Sequence, residues 1–323
     1  MTVSNRVVVV GSVMTDMTVY LDRVPSAGET LLGRSFTFGH GGKGANQAVM
    51  AALLGAEVEL VACVGDDDFG TRALDNLAEV GITALGVRRV ANVTTGVAPI
   101  WVDAAGENRI VIVPGANNHM TPAHVEAAFA RVPAPDVVIC QLEIPLDCVE
   151  RALALGQDVG AVTILNPAPI MDVGIDVLRR TSWLVPNESE FQGLRMQLLG
   201  ADDHLDLRDA VQRVSTLLGA GLVVTLGASG ALLCAQSEAE VQQVDAPKAV
   251  VVDTSGAGDA FVGAFAYALG GTTMPPSKAV RFACACASRS VERRGTQSSF
   301  PAREEFGALL EGSSRSGPAQ VRI

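Results

Sequence analysis

Short apolar runs alternate with glycine turns and helix-patterned stretches along most of the chain. Arg6–Ser12 (RVVVVGS) is a continuous apolar run broken by Gly11, the pattern of a strand buried on both faces. Ala45–Leu54 (ANQAVMAALL) follows as a helix stopped by Gly55. Val58–Gly65 is a second strand, and Asp66, Asp67 and Asp68 give an acidic helix start before Arg72–Val80, favourable to the helix dipole. Val137–Leu142, Val162–Leu165, Trp183–Val185 and Leu222–Leu226 are further strand-length runs, most of them separated by helical stretches. Repeated β-α units of this kind predict an α/β fold: a doubly wound, mostly parallel sheet with helices on both faces.

Two segments break the rhythm. Residues 13–40 are turn-rich and strand-like, and residues 94–112 read as a hairpin, TTGVAPIWVD and RIVIV around the turn AAGEN. Neither contains a helix. They are expected to form one small β-sheet, a lid beside a cleft, leaving 1–12, 41–93 and 113–312 as the α/β body. Residues 313–323, with Ser, Gly and Pro, are expected to be a disordered tail.

Composition narrows the function. The chain of 323 residues carries 35 acidic against 24 basic side chains, a net charge of −11. It contains no basic run longer than a pair such as Arg293-Arg294, so neither nucleic acid nor an anionic membrane is an expected partner. Val7–Val10 is a strand's length and not a signal-peptide core. No stretch reaches the roughly 18 apolar residues of a membrane span. Cys63, Cys140 and Cys234 lie in apolar runs, while Cys284 and Cys286 form C-x-C and not C-x-x-C. Free thiols in a reducing cytoplasm are the expectation. The four histidines are scattered without a metal-binding spacing.

Three clusters could carry chemistry. In Gly39–Gln47 (GHGGKGANQ), glycines around Lys43 precede a helix, so backbone can approach a ligand closely. It is not a Walker A loop, because Gly44 follows the lysine; a plain helix-start turn is the alternative. In Val252–Gly263, Gly256, Ala257 and Gly258 lead directly into a helix at Ala260–Leu269, where free N–H groups make an anion hole. Asp259 in its first turn is either a carboxylate offsetting the dipole or a base beside an anion site, as phosphoryl transfer to an alcohol requires. G-x-G-x-x-G does not fit, since Phe261 stands where its last glycine would fall. In Pro186–Glu190 (PNESE), two acids and an amide follow a buried strand. They suit a Mg²⁺–nucleotide site with water-mediated contacts, although read alone the segment is better taken as an N-cap at Asn187 with acids in the first turn. Thr225–Gly230 (TLGASG) is by itself only a strand-to-turn glycine motif.

Taken together, the motifs resemble the PfkB sugar-kinase family from Gly11 to about Pro301. The matching segments, in order, are G-S-x-x-x-D (Gly11–Asp16), P-x-x-G-E-T (Pro25–Thr30), G-G-K-G-A-N-Q (Gly41–Gln47), Q-L-E (Gln141–Glu143), N-P-A-P (Asn166–Pro169), P-N-E-S-E (Pro186–Glu190), D-T-S-G-A-G-D (Asp253–Asp259) and G-T-Q-S-S-F-P (Gly295–Pro301). The resemblance implies ATP-dependent transfer of a phosphoryl group to the 5-hydroxyl of an aldopentose, D-ribose being expected. It implies Asp259 as the base, with Gly256, Ala257 and Gly258 as the anion hole. Met14, Asp16, Gly42, Lys43, Gly44, Asn46 and Glu143 match the sugar side. Asn187, Thr225, Gly227, Ser229, Gly230 and Gly258 match the nucleotide side, with Cys284 flanking the adenine. Glu190 would approach Mg²⁺ through water. Asp253, Ser255, Ser290, Arg293, Gly295 and Ser299 match a K⁺ loop, mostly through carbonyl oxygens. The family's lid also forms a dimer contact, so a homodimer through the lid is expected.

Met14 departs from the pattern. It stands where many bacterial ribose-phosphorylating members carry Asn, and is similar there to 2-deoxyribose-phosphorylating members and to some animal ones. A thioether barely hydrogen-bonds a sugar hydroxyl, and a pocket lacking that partner rejects the deoxy analogue less strongly. A kinase for 2-deoxyribose, another sugar or a nucleoside is the nearer alternative. A non-catalytic sugar or nucleotide sensor is the alternative from another class, and it would have no need of a base beside the anion hole.

Overall fold

A computed structural model of the chain describes residues 5–200, 204–236, 240–271 and 274–307; the expected tail at 313–323 lies outside the described residues. The strands are β1 (Arg6–Val10), β2 (Met14–Tyr20), β3 (Ser35–Gly41), β4 (Glu57–Gly65), β5 (Thr83–Val90), β6 (Gly96–Val102), β7 (Asn108–Ile110), β8 (Val137–Cys140), β9 (Val162–Leu165), β10 (Trp183–Leu184), β11 (Gly221–Thr225), β12 (Ala231–Cys234) and β13 (Gln242–Val244). The helices are α1 (Lys43–Leu53), α2 (Asp68–Glu79), α3 (Pro122–Phe129), α4 (Leu146–Asp158), α5 (Ile175–Leu178), α6 (Glu188–Leu199), α7 (Leu207–Leu218), α8 (Ala257–Gly271) and α9 (Pro276–Ser290).

Nine strands form one sheet in the order β13-β12-β11-β10-β9-β8-β1-β4-β5. All neighbours from β11 to β5 pair in parallel, while β11–β12 and β12–β13 are antiparallel. The antiparallel end follows from its connection. β11 and β12 are joined by a tight turn in which Leu226 N–H donates to the Gly230 carbonyl at 2.7 Å, too short for the crossover that parallel strands need. Alternate residues of β1 enter two separate cores. Val7 and Val9 pack with side chains of α1, α8 and α9, whereas Val8 and Val10 pack with those of α3, α4, α6 and α7. The continuous apolar run is thus what a strand covered on both faces requires. The chain leaves β1 toward β4 and β5, then returns to β8 on the other flank of β1. That reversal places a crevice at the carboxyl ends of β1 and β8.

A second sheet has the order β3-β2-β6-β7. β2 pairs antiparallel with β3 and parallel with β6, and β6 pairs antiparallel with β7. The run Arg109–Val113 is not one ladder strand: β7 ends at Ile110, and only an isolated Val97–Val113 bridge continues it. Pro99 has no N–H to return the bond it accepts from Val111, which interrupts the pairing. The sheet rests on α2, where the Phe38 and Phe69 rings lie 5.7 Å apart and the Arg72 guanidinium sits 5.3 Å from the Phe38 ring centre. Buried Asn117 ties the approach to β2, accepting from Val13 N–H at 3.0 Å and donating to the Val13 carbonyl at 2.9 Å.

Candidate active site

The site is built where β1 and β8 end. Gly11 and Ser12 follow β1, and α1 begins so close to them that a Cβ on Gly44 would stand 2.5 Å from the Ser12 nitrogen. Gly42, with φ +87°, turns the chain into that helix, a conformation that favours glycine. Ser12 Oγ donates to Glu143 Oε2 at 2.5 Å, and the same oxygen accepts from the Lys43 backbone N–H at 2.9 Å. Glu143 is thereby held against the start of α1. Asp16, on β2, lies over Gly41, whose Cβ would fall 2.1 Å from Asp16 Oδ1.

Asp259 stands in the first turn of α8, directly after the Gly256–Gly258 loop, and is buried. Asn46 Nδ2 donates to its Oδ2 and Gln47 Nε2 to its Oδ1, both at 2.9 Å. Gly256 has φ +75°, and a Cβ there would meet Thr296 Cγ2 at 2.6 Å. A cavity of about 200 Å³ opens in front of this loop, bounded by Lys43, Asn187, Glu190, Thr225, Gly256–Gly258 and Asp259. A carboxylate, a lysine and the N-terminus of α8 thus share one cavity, the combination that proton removal beside a phosphoryl group needs; of the three expected anion-hole donors, the Ala257 N–H is given to the Thr254 carbonyl at 3.3 Å.

The charges are strongly coupled. Burial, with Asp259 and Glu143 nearby, pushes the Asp16 carboxyl up to about 6. Burial also raises Glu143, against the pull of Lys43 and Ser12. Burial lowers Lys43, but Asp259, Glu143 and Glu190 outweigh it and hold the ammonium above its ordinary value. Lys43 therefore offsets a concentration of acid in the crevice.

The candidate ligand residues divide by position. Asn187 and Glu190 form a capping box on α6, Asn187 accepting from Glu190 N–H and Glu190 from Asn187 N–H at 2.8 Å each. The same two side chains also border the cavity, so cap and ligand position coincide. Among the described residues no group of three or more His, Cys, Asp or Glu could hold a metal ion. A cavity whose bordering carboxylates, among the described residues, are Glu190 and Asp259 suits Mg²⁺ that arrives with phosphates and waters. Thr225 borders the cavity, whereas Gly227, Ser229 and Gly230 form the turn beyond it. Cys284 is buried on α9 in the core, and burial pushes its thiol up to about 12.

Asp253 joins the two segments expected to surround K⁺, accepting from Ser255 N–H and Gly295 N–H at 2.9 Å each. Ser290 Oγ and Ser299 Oγ donate to local carbonyls at 2.9 and 2.8 Å. The Arg293 guanidinium is engaged by Glu305 at 2.7 Å; cationic and donor-only, it is no ligand for K⁺, so only the backbone carbonyl of Arg293 could serve. Met14, the first residue of β2, is buried in a small pocket with His40, Asn76 and Gln297.

Ser12, Asn76, Gln47, Gln141, Asn166 and Gln297 were not assigned roles from the sequence. Five of them lie inside the quoted motifs G-S-x-x-x-D, G-G-K-G-A-N-Q, Q-L-E, N-P-A-P and G-T-Q-S-S-F-P. Amides clustered at strand ends and helix starts were the available signal.

The family model for pfkB family carbohydrate kinases matches residues 4–303. Ribokinase of Schizosaccharomyces pombe is 38% identical over 306 residues, covering 92% of this chain and 95% of that protein. Deoxyribokinase of Salmonella typhi is 37% identical over 308 residues, covering 94% and 98%. Among solved structures, ribokinase from Thermotoga maritima superposes with a TM-score of 0.85 at 34% identity, over 94% of this chain and 99% of that one. Arabidopsis thaliana ribokinase complexed with ribose and ATP gives 0.83 at 31%, over 95% and 99%. The chain belongs to the PfkB family of carbohydrate kinases. It is an ATP-dependent sugar kinase with the fold of the ribokinases.

Proposed function

We propose that this kinase phosphorylates D-ribose at O5, giving D-ribose 5-phosphate and ADP. The observation that carries the reading is Asp259, a buried carboxylate held by Asn46 and Gln47 beside the α8 N-terminus. In this reading Asp259 takes the proton of the 5-hydroxyl as that oxygen attacks the γ-phosphorus. The N–H groups of residues 256–258 face the developing charge, that of Ala257 once released from the Thr254 carbonyl, and Lys43 adds a cation bordering the same cavity. Catalysis is then mainly positioning and electrostatic stabilisation. Asp16, Asn46 and Glu143, with the Gly42–Gly44 backbone and Met14, hold the sugar. Asn187, Thr225, Gly227, Ser229, Gly230 and Cys284 form the nucleotide side. Mg²⁺ bound to the phosphates would be reached by Glu190 through water and would neutralise phosphate charge. K⁺, held by carbonyls of the loops that Asp253 joins, would keep the anion-hole loop ordered. The second sheet would close as a lid and exclude water as a competing acceptor.

A second reading, 2-deoxyribose as substrate, is favoured by one feature, the buried thioether of Met14 where a hydroxyl partner would stand; it is also the activity named for the Salmonella relative. Exposed Leu32, Phe36 and Ile110 on the second sheet and its loops support a homodimer through the lid. Six free cysteines support a cytoplasmic location; no helix among the described residues is long and apolar enough to cross a membrane.

Coupled ADP-release assays on ribose and 2-deoxyribose, run side by side, test the reading. A higher kcat/KM for ribose is expected. A reversed ratio would establish the second reading, and ADP release with neither sugar would remove both.

A further inference from the structure

We infer that Gln47 is the positioning residue of the catalytic carboxylate, the inner link of a buried amide relay between the strand ends of the large sheet and Asp259. The inference rests on Asp259 being the base. Gln47 Nε2 donates to Asp259 Oδ1 at 2.9 Å and to Asn166 Oδ1 at 3.1 Å. Its Oε1 accepts from Gln141 Nε2 at 2.6 Å. Gln47 and Gln141 have no exposed surface, and Asn166 is buried. Gln47 therefore cannot act on a substrate directly, only through Asp259.

The polarity of the relay is determined by its ends. Asn166 Nδ2 is committed to the Val185 carbonyl at 2.8 Å, so its oxygen must face Gln47. A carboxylate accepts only, so Gln47 must turn its amide nitrogen toward Asp259 and its oxygen away. Gln141 must then present its own nitrogen to Gln47. It does so although its Oε1 is left buried with no hydrogen-bond partner, in the space where Gly11 lacks a Cβ. An orphaned buried acceptor is unfavourable, and here it marks a side chain oriented by the demand of its neighbour. Gln141, Asn166 and Val185 each follow the last residue of β8, β9 or β10. Three adjacent parallel strands thus brace one carboxylate oxygen. The other oxygen is braced separately by Asn46, which accepts from Gln297 Nε2 at 2.9 Å. With both oxygens tied, the carboxylate cannot rotate without breaking a charge-assisted bond, and its remaining lone pairs keep a fixed direction.

Gln47→Met removes both donors without adding charge. The charged groups that face Asp259 are Asp16 on β2, Lys43 on α1, Glu143 after β8 and Glu190 on α6, and all remain in the variant. Loss of one hydrogen bond to a charged group predicts a kcat roughly 10- to 100-fold lower. KM for sugar and for ATP should stay within about threefold, because the lost interaction serves the chemical step. A merely structural role would raise KM along with lowering kcat and would cost the same in any background, whereas positioning acts only through Asp259: in the Asp259→Asn background Gln47→Met should lower the residual kcat by no more than about twofold. Gln141→Met reaches Asp259 only through Gln47 and should give the same pattern with a smaller loss, so it carries the test if Gln47→Met does not fold. A kcat within about twofold of the parent in a folded single variant, or an undiminished loss in the Asp259→Asn background, overturns the relay. Asp259→Asn, measured in the same series, separates the two claims: near-normal turnover there removes the base assignment itself, whereas a large loss there with an undiminished further loss in the relay variants removes the relay alone.

Discussion

Asp16 offers a prediction with opposite signs for activity and for stability. Its carboxyl lies against Gly41 near Asp259 and Glu143, and burial together with those two carboxylates raises it from 3.8 to about 6. In the proposed sugar site the ionised form accepts from sugar hydroxyls through both oxygens, whereas protonation turns one of them into a donor. At pH 5 roughly one molecule in ten carries Asp16 ionised, so kcat/KM for the sugar should fall about tenfold between pH 7 and pH 5. The kcat/KM profile reports the free enzyme, the state described here. Asp16→Asn should lower kcat/KM at every pH and abolish the limb near pH 6. Stability runs the other way. A carboxyl raised by folding contributes most below its unfolded value, and that contribution is lost as the pH rises through about 6. The gap between 3.8 and about 6 corresponds to about 3 kcal/mol as an upper figure. Asp16→Asn should therefore raise Tm at pH 8, and the gain should shrink as the pH falls below 6. Initial rates at subsaturating sugar from pH 5 to 8, with thermal melts across the same range, measure both. A flat kcat/KM profile, or a limb that keeps its midpoint in Asp16→Asn, would refute the reasoning.

Three further outcomes are expected. Asp259→Asn should lower kcat by at least about 10²-fold, the scale of general-base loss, with ATP binding retained by isothermal titration; turnover near that of the parent would exclude the base role. Met14→Asn supplies a hydrogen-bond partner in the pocket it shares with His40 and Asn76, and one neutral hydrogen bond predicts a roughly three- to tenfold shift of relative kcat/KM toward ribose. No change, or the opposite sign, with both sugars still turned over would make Met14 a packing residue. Activity at equal ionic strength should be higher in K⁺ or Cs⁺ than in Na⁺, through the loops that Asp253 bridges, and indifference to the cation would count against that site.

The apolar runs of β1, β4, β8 and β9 were legible because strands buried on both faces leave no polar alternation to misread. β5 was not: Thr83–Val90 contains Arg88 and Arg89 and is largely exposed at the sheet edge, so its pattern carries no core signal. The apolar run at Cys234 reads as a buried strand, as β12 is, but its antiparallel pairing was hidden, because pairing direction depends on turn length and not on hydrophobicity. Within the site, glycines and acids stood out by type. The glycine motif at Gly41–Gly44 announced a close backbone approach, and the contacts of Gly42 and Gly44 with residues after β1 show what is approached. The amides that orient Asp259 could not be assigned the same way. Gln141 and Asn166 are far from Asp259 in sequence, and only the strand ends bring them to Gln47.

The most direct test is the product itself. The purified chain, incubated with D-ribose and MgATP in K⁺ buffer and followed by ³¹P and ¹H NMR, should convert ribose to ribose 5-phosphate with one ADP formed per sugar. Phosphate appearing on another hydroxyl, or ATP consumed while ribose stays unmodified, would contradict the account.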